Sequence, residues 1–370
     1  MPILRIRLKE RSYPVLVAKN ALMDAGRWLL ASGFSQKKHL LVVTQKEVAV
    51  YYQPQLADTL AKFGFQCSFF LAPHGKSSEA SKSVDVLLKL IRKIASCDGH
   101  HRSVALVALG GGVVGDLTGF AASIYRRGIP YVQLPTTLTA QVDSSIGGKT
   151  AVDIAEGKNL VGSIYQPALV LSDVSLLSSL PERHWSDGFA EVIKYGVIED
   201  RALFTLLERE GQEGIRRSEK RLTEVIFRCA RIKGRLVEKD ELDKKGLRMA
   251  LNFGHTVGHA LEAASGFSKQ LTHGEAVGIG MLAACDIAAG LGVLEDETLS
   301  GRLEKLLLKF NLPVVYRGIP KEQVLKALGY DKKAENGVNR FVLPRHLGKV
   351  MIVPNVPQGA IVEALERRKA

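Results

Sequence analysis

Little in this chain points to a disulfide framework. Its four cysteines, Cys67, Cys97, Cys229 and Cys285, stand far apart among 370 residues, with no Cys-x-x-Cys. That spacing excludes a zinc ribbon or a redox dithiol motif and reads as reduced thiols of a cytoplasmic protein. Aromatics make up only 6% of the residues, which weakens a base-stacking binder of single-stranded nucleic acid. Lys and Arg outnumber Asp and Glu by 51 to 38, a net charge of +13, yet the basic residues are dispersed rather than blocked. The excess attracts anions without naming one. No uninterrupted apolar run spans a bilayer. Residues 276–294 come nearest, but Asp286 and four glycines break them, as in a tightly packed core helix. The N-terminal MPILRIRLKERSYPVLV lacks the apolar core of a signal peptide, so no membrane or export element is expected.

What is present is an ordinary globular composition, 46% hydrophobic and 24% charged, long enough for two domains. The first half alternates strands and helices. HLLVVTQ (39–45), QCSFFLA (66–72), SVALVALGGG (103–112), YVQLPTT (131–137) and ALVLSD (168–173) read as strands. Helical spacing follows the first of them to about Phe63, and recurs over 81–96 at Val84, Leu87, Leu88 and Ile91. This pattern predicts an α/β domain, residues 1–180, with a mostly parallel sheet. The character changes near Pro181, and residues 181–370 are expected to be mainly α-helical, with a small hairpin in RFVLPRHLGKVMIV and a solvated tail LERRKA.

Three stretches could carry chemistry. Gly110-Gly111-Gly112-Val113-Val114-Gly115-Asp116 contains G-x-G-x-x-G between a strand and a helix. Such a turn offers free backbone N–H groups to a phosphate, but it also occurs with no ligand. The acidic residue that a dinucleotide fingerprint expects after the next strand is replaced by Pro135-Thr136-Thr137. Gly147-Gly148-Lys149-Thr150 resembles the end of a phosphate loop, but Asp143 stands where the first glycine of G-x-x-x-x-G-K-[ST] is required. What remains is small backbone with Lys149, Lys158, Asp143 and Asn159, suited to an anionic, hydroxylated ligand, or simply a solvated loop. Third, His255 and His259 lie at i, i+4, and His273 follows in Thr-His-Gly-Glu. Spacing alone names these three histidines as metal ligands. Upstream, Glu191 and Lys194 share a helix face, whereas His100 and His101 read as a polar surface turn.

Taken together, GGGVVGDLTGFAASIYRRGI, QLPTTLTAQVDSSIGGKTAV, GKNLVG, FAEVIKYG, LNFGHTVGHALE and HGEAVGIGM resemble the 3-dehydroquinate synthase family, of the sugar phosphate cyclases, from about Val104 to Gly348. The resemblance implies a Rossmann-like nucleotide-binding domain and a helical metal-binding domain. It implies NAD, one divalent metal (zinc or cobalt), a sugar-phosphate substrate, a cytoplasmic homodimer, and no nucleic acid or membrane partner. The implied reaction converts 3-deoxy-D-arabino-heptulosonate 7-phosphate to 3-dehydroquinate and phosphate. C5 is oxidised by NAD, phosphate is eliminated, C5 is reduced again, and ring opening precedes an intramolecular aldol closure.

Matched motif by motif, the implied metal ligands are Glu191, His255 and His273, with His259 moved to the substrate phosphate. Asp143 and Lys194 match positions around the substrate hydroxyls. Lys149, Asn159, Asn252 and His259 match the phosphate side, with Arg127 reaching across a dimer interface. Lys233 and Arg248 match the carboxylate side, joined by Lys332 or Lys333. For NAD the matches are Glu79, Lys82, Gly112, Val113, Val114, Gly115, Asp116, Thr136, Thr137, Lys149 and Lys158. The chain departs from the pattern at Gln45, where an aspartate is usual, in an insertion before Glu79, and at Asp243. The competing readings are another sugar phosphate cyclase, a metal- and NAD-dependent polyol or alcohol dehydrogenase, and a basic nucleic-acid-binding module.

Overall fold

The computed structural model describes residues 2–73, 78–98, 103–266, 271–334 and 339–370, with backbone only at 78 and 330–334. His100, His101 and the insertion at 74–77 lie outside the described residues, as do the side chains of Lys332 and Lys333. Two compact units emerge, one of Met1–Pro181 with Ile226–Leu242, the other of Glu182–Val225 with Asp243–Ala370.

In the first unit the strands are β1 (Ile3–Ile6), β2 (Tyr13–Ala18), β3 (His39–Gln45), β4 (Cys67–Ala72), β5 (Val104–Gly110), β6 (Tyr131–Pro135), β7 (Lys149–Ile154), β8 (Gly157–Ile164) and β9 (Leu169–Asp173). Its helices are α1 (Ala25–Ala31), α2 (Lys46–Lys62), α3 (Val84–Cys97) and α4 (Gly112–Ile124). Seven strands form one sheet in the order β1-β2-β9-β6-β5-β3-β4, parallel except for the β1–β2 pair. Successive residues of the wholly buried β5 pack into different cores. Ala105, Val107 and Leu109 join Leu56 and Leu60 of α2, while Val104, Leu106 and Ala108 join Leu87, Leu90 and Leu117 of α3 and α4. A strand buried on both faces must be apolar throughout, which is why this run reads as continuous rather than alternating. The chain leaves β4 at the sheet edge and returns on the far side of β3 as β5. The carboxyl end of β5 therefore lies at a topological switch point, where open α/β sheets bind their ligands.

Lys149, Thr150, Lys158 and Asn159, which the sequence places either at an anionic ligand or in a solvated loop, lie in the antiparallel hairpin β7–β8. Its alternation is blurred because Gly157 and Gly162 interrupt it. Gly162 permits close pairing: a Cβ there would lie 2.3 Å from the Thr150 carbonyl oxygen.

The helices that follow are α5 (Glu182–Ile198), α6 (Arg201–Arg217), α7 (Glu219–Lys239), α8 (His255–Ala264), α9 (His273–Gly290), α10 (Thr298–Lys309), α11 (Lys321–Ala334) and α12 (Gln358–Arg367). Strands β10 (Arg340–His346) and β11 (Lys349–Pro354) form the predicted hairpin. The later part of α7 belongs to the first unit because Ala230 and Val237 are buried in one cluster with Ile6, Tyr13, Val15 and Val170. Helix α9 is the apolar stretch with the internal aspartate. Asp286 is neutralised by Arg368, whose Nε and Nη2 lie 2.6 and 2.9 Å from its two carboxylate oxygens. The C-terminal tail is thus docked, not solvated as its composition predicts, because its arginine supplies the countercharge that a buried carboxylate requires. Among the described residues no helix is long and apolar enough to cross a membrane.

Candidate metal and nucleotide sites

In the helical unit, α5 contributes Glu191 and Lys194, α8 contributes His255 and His259, and α9 begins with His273. Helices α8 and α9 approach closely through glycine. Gly254, the left-handed residue that starts α8 (φ 79°), would place a Cβ 2.5 Å from Met281 Cγ. Glu191 and Lys194 are each only 1% exposed and form an ion pair. The Glu191 Oε1 atom lies 3.4 Å from His255 Nε2 and 3.2 Å from His273 Nε2. Ligand atoms about 2.0–2.2 Å from one tetrahedral ion stand about 3.3–3.6 Å apart, so these spacings fit one zinc-sized cation.

Both imidazoles are oriented from behind. His255 Nδ1 lies 3.1 Å from the Phe253 carbonyl oxygen, and His273 Nδ1 lies 3.1 Å from Glu262 Oε2. A proton held at each Nδ1 leaves each Nε2 as the ligand atom, the arrangement that holds metal-binding histidines in place. Burial alone would raise the Glu191 pKa, but Lys194 and the two histidines outweigh it and hold the carboxyl well below its usual range. Burial opposes the His273 imidazolium, yet hydrogen bonds to Glu191 and Glu262 raise it to about 10 in the metal-free protein.

The trio named by histidine spacing is corrected here. Glu191, His255 and His273 form one potential metal group, whereas His259 groups instead with Glu262 and His273. The i, i+4 spacing does bring the rings of His255 and His259 to 5.3 Å, but they stand edge to face at 86°. The Phe253 carbonyl turns His255 toward Glu191 rather than toward its helical neighbour. His259 is exposed at the surface, yet desolvation, with His255 and His273 beside it, lowers its pKa to about 4. Arg248 is buried in the helical turn Leu247–Asn252, which ends in the exposed Asn252. Asp243 takes a left-handed conformation (φ 54°) in the preceding turn.

In the α/β unit the glycine-rich turn joins β5 to the N-terminus of α4, so Gly112, Val113, Val114 and Gly115 present helix-start backbone at the switch point. Gly115 packs against β6: a Cβ there would lie 2.8 Å from Gln133 Oε1. Asp116 accepts from Lys82 Nζ at 2.5 Å, and Lys82 also donates to Asn159 Oδ1. Lys158 Nζ lies 3.8 Å from Glu79 Oε1. Burial raises the Asp116 pKa to about 6 against the pull of Lys82. Thr136 and Thr137 follow β6, where the Thr136 N–H donates to the Gly110 carbonyl and Thr137 Oγ1 accepts from the Ala140 N–H. Gln45, at the end of β3, is buried and donates to Ser81 Oγ at 2.8 Å.

Asp143 lies in a π-helical turn, Ala140–Ser144, and Lys233 Nζ reaches both its carboxylate, at 2.5 Å, and its backbone oxygen, at 2.7 Å. Lys149 is exposed at the start of β7, and Arg127 is exposed on a turn with φ 60°. The structure thus brings together Glu79, Lys82, Asp116, Lys158 and Asn159, and separately Asp143 with Lys233. Sequence reasoning missed Asp187 and Glu262. Glu262 stands three residues after His259 in the sequence, but the ring it orients is that of His273 on the next helix.

Comparison with known proteins bears on the whole chain. The family model for the 3-dehydroquinate synthase N-terminal domain matches residues 74–187, and that for the C-terminal domain matches 188–334. The 3-dehydroquinate synthase of Pelobacter propionicus is 42% identical over 95% of this chain and 96% of its own length. That of Desulforamulus reducens is 40% identical over 99% of this chain and all of its own. Among solved structures, ValA, the 2-epi-5-epi-valiolone synthase of Streptomyces hygroscopicus subsp. jinggangensis with NAD+ and Zn2+ bound, has a TM-score of 0.86 at 30% identity, covering 98% of both chains. A 2-deoxy-scyllo-inosose synthase, complexed with carbaglucose-6-phosphate, NAD+ and Co2+, shares the fold (TM-score 0.86, 24% identity, 99% of this chain and 100% of that one). Identity at this level along nearly the full length leaves one assignment: the chain belongs to the 3-dehydroquinate synthase family.

Proposed function

We propose that this protein is a 3-dehydroquinate synthase, a carbon–oxygen lyase that converts 3-deoxy-D-arabino-heptulosonate 7-phosphate to 3-dehydroquinate and inorganic phosphate. The observation that carries the reading is the Glu191/His255/His273 cluster, spaced for one tetrahedral ion and backed by Nδ1 partners on both rings. When bound, NAD supplies a reversible hydride acceptor for C5, and a divalent metal such as zinc or cobalt supplies a Lewis acid that eases deprotonation of the hydroxyl it polarises. A ketone at C5 acidifies the neighbouring C–H, and phosphate loss depends on that acidity.

The chain's own residues prepare these events. Lys194 keeps Glu191 ionised inside an apolar helix bundle, so the ligand is ready without a proton to shed. Glu262 and the Phe253 carbonyl hold the histidine Nδ1 protons. Backbone N–H groups at the start of α4, with Lys82, Asp116, Glu79 and Lys158 near them, form the NAD side, joined by Thr136 and Thr137. Asp143 and Lys194 address the substrate hydroxyls, and Lys233 and Arg248 the carboxylate. Lys149, Asn159, Asn252 and His259 bind the phosphate, with Arg127 contributed across a homodimer. Charge-assisted hydrogen bonds from several cations to one small polyanion give tight, oriented binding. The same reading makes residues 1–180 the NAD domain and 181–370 the metal and substrate domain, although residues 226–242 of the latter pack into the first unit, and it makes the location cytoplasmic.

The test is metal removal. Chelator-treated protein should lose turnover, Zn2+ or Co2+ should restore it, and the His273→Ala variant should not be restored. Full activity in the metal-depleted protein would contradict the reading.

A further inference from the structure

Helix α5 does more than carry Glu191. Arg183, Asp187 and Glu191 follow one another at four-residue spacing, on one helix face. Each meets a different residue at the start of α9. Arg183 grips Glu275 with two nitrogens, Nε at 2.9 Å and Nη2 at 2.7 Å. Asp187 Oδ1 accepts from the Thr272 hydroxyl and, at 3.1 Å, from the Gly274 N–H. Its Oδ2 lies 3.4 Å from His184 Nδ1. Glu191 then meets His273, the residue between Thr272 and Gly274.

The approach at this point is as close as backbone allows. A Cβ on Gly274 would lie 2.4 Å from Asp187 Cα. Thr272 and Glu275 also close a capping box on the helix they begin. The two residues flanking His273 are thus both tied to Asp187, one turn before Glu191.

We infer that Asp187 is a positioning residue for the metal site: by fixing Thr272 and Gly274 it sets the His273 ring against Glu191. This rests on the metal reading above. The carboxylate touches no ligand atom. It acts through the backbone that carries one ligand, from the helix that carries the other. A ligand pair on two helices needs such a tie, because a displacement of a few tenths of an ångström spoils the coordination distances.

The test measures metal affinity rather than turnover. The metal-free parent, Asp187→Ala, Asp187→Asn and His273→Ala are titrated with Zn2+ against a chromogenic chelator. The visible spectra of the Co2+ forms are recorded alongside. The parent should bind one equivalent and His273→Ala should not; binding of a full equivalent by His273→Ala would overturn the metal reading itself. Asp187→Ala should weaken Zn2+ binding about 10–100-fold, the usual effect of losing a partner behind the ligands, and should alter the Co2+ bands. Asp187→Asn keeps a carbonyl oxygen that accepts both hydrogen bonds, and should stay within about threefold of the parent. A purely structural role would lower the melting temperature of metal-free Asp187→Ala and leave its metal affinity unchanged, which would overturn the inference. If Asp187→Ala does not fold, Thr272→Val removes the donor while leaving the carboxylate. It must weaken metal binding in the same direction, and unchanged affinity there would also overturn it.

Discussion

Helix α9 carries His273 at its first residue and Asp286 four residues before its end, and the charge at Asp286 is held by Arg368, two residues before the last one. The Asp286 and Arg368 side chains are 8% and 11% exposed, so this pair is buried. Arg368 also donates to Glu304 at 2.8 Å. Removing one partner of such a pair leaves an uncompensated charge, at a cost of about 3–5 kcal/mol. Arg368→Ala strands the aspartate within an apolar helix, so we predict a loss of about 3 kcal/mol, the lower end because a tenth of the site still meets water. For a unit of this size that corresponds to a fall in melting temperature of about 6–12 °C. Asp286→Ala should cost less, since Arg368 keeps Glu304. The double variant Asp286→Leu/Arg368→Met replaces both charges by apolar groups and should return to within about 1 kcal/mol of the parent. The assay is urea denaturation followed by circular dichroism. An Arg368→Ala variant within 1 kcal/mol of the parent, or a double variant worse than either single one, would refute the reasoning.

Other predictions follow from the two sites. Asp116 has a folded pKa of about 6, above its unfolded value near 3.8, so the folded state holds its proton more tightly and stability falls as pH rises through that window. The urea midpoint of Asp116→Asn should lack that slope between about pH 4 and pH 6. Gly115→Ala drives a methyl toward Gln133 Oε1 and should destabilise the α/β unit by about 1–3 kcal/mol while weakening NAD binding, as measured by fluorescence titration. Lys149→Ala and Asn159→Ala should each raise KM for the sugar phosphate, with the metal content unchanged by atomic absorption. Unchanged steady-state kinetics in both would remove those roles.

The α/β sheet was legible because β3, β5, β6 and β9 are short apolar runs, and burial on both faces demands exactly such composition of a parallel strand. The hairpin β7–β8 was not. Its polar and glycine residues carry no strong alternation, and pairing alone fixes it. The docked tail was also invisible, since LERRKA reads as solvent-loving until Asp286, eighty-two residues away, is brought to Arg368. Histidine spacing found two of the three metal-group residues and misassigned His259. A helix face brings i and i+4 together, but the Nδ1 partner decides where a ring points, and Phe253 and Glu262 become visible as partners only in three dimensions. Glu191 was recoverable only from the family motif, because one acidic residue in an apolar helix has many explanations. Asp187 gave no signal at all: its role depends on Thr272 and Gly274, far away in sequence.

The measurement that tests the central claim most directly is phosphate release from 3-deoxy-D-arabino-heptulosonate 7-phosphate by the NAD- and Zn2+-loaded protein, with NADH absorbance followed at the same time. The account predicts many phosphates released per protein with no accumulation of NADH, because the hydride taken from C5 is returned within each turnover. NADH accumulating in step with product, or no phosphate released, would contradict it.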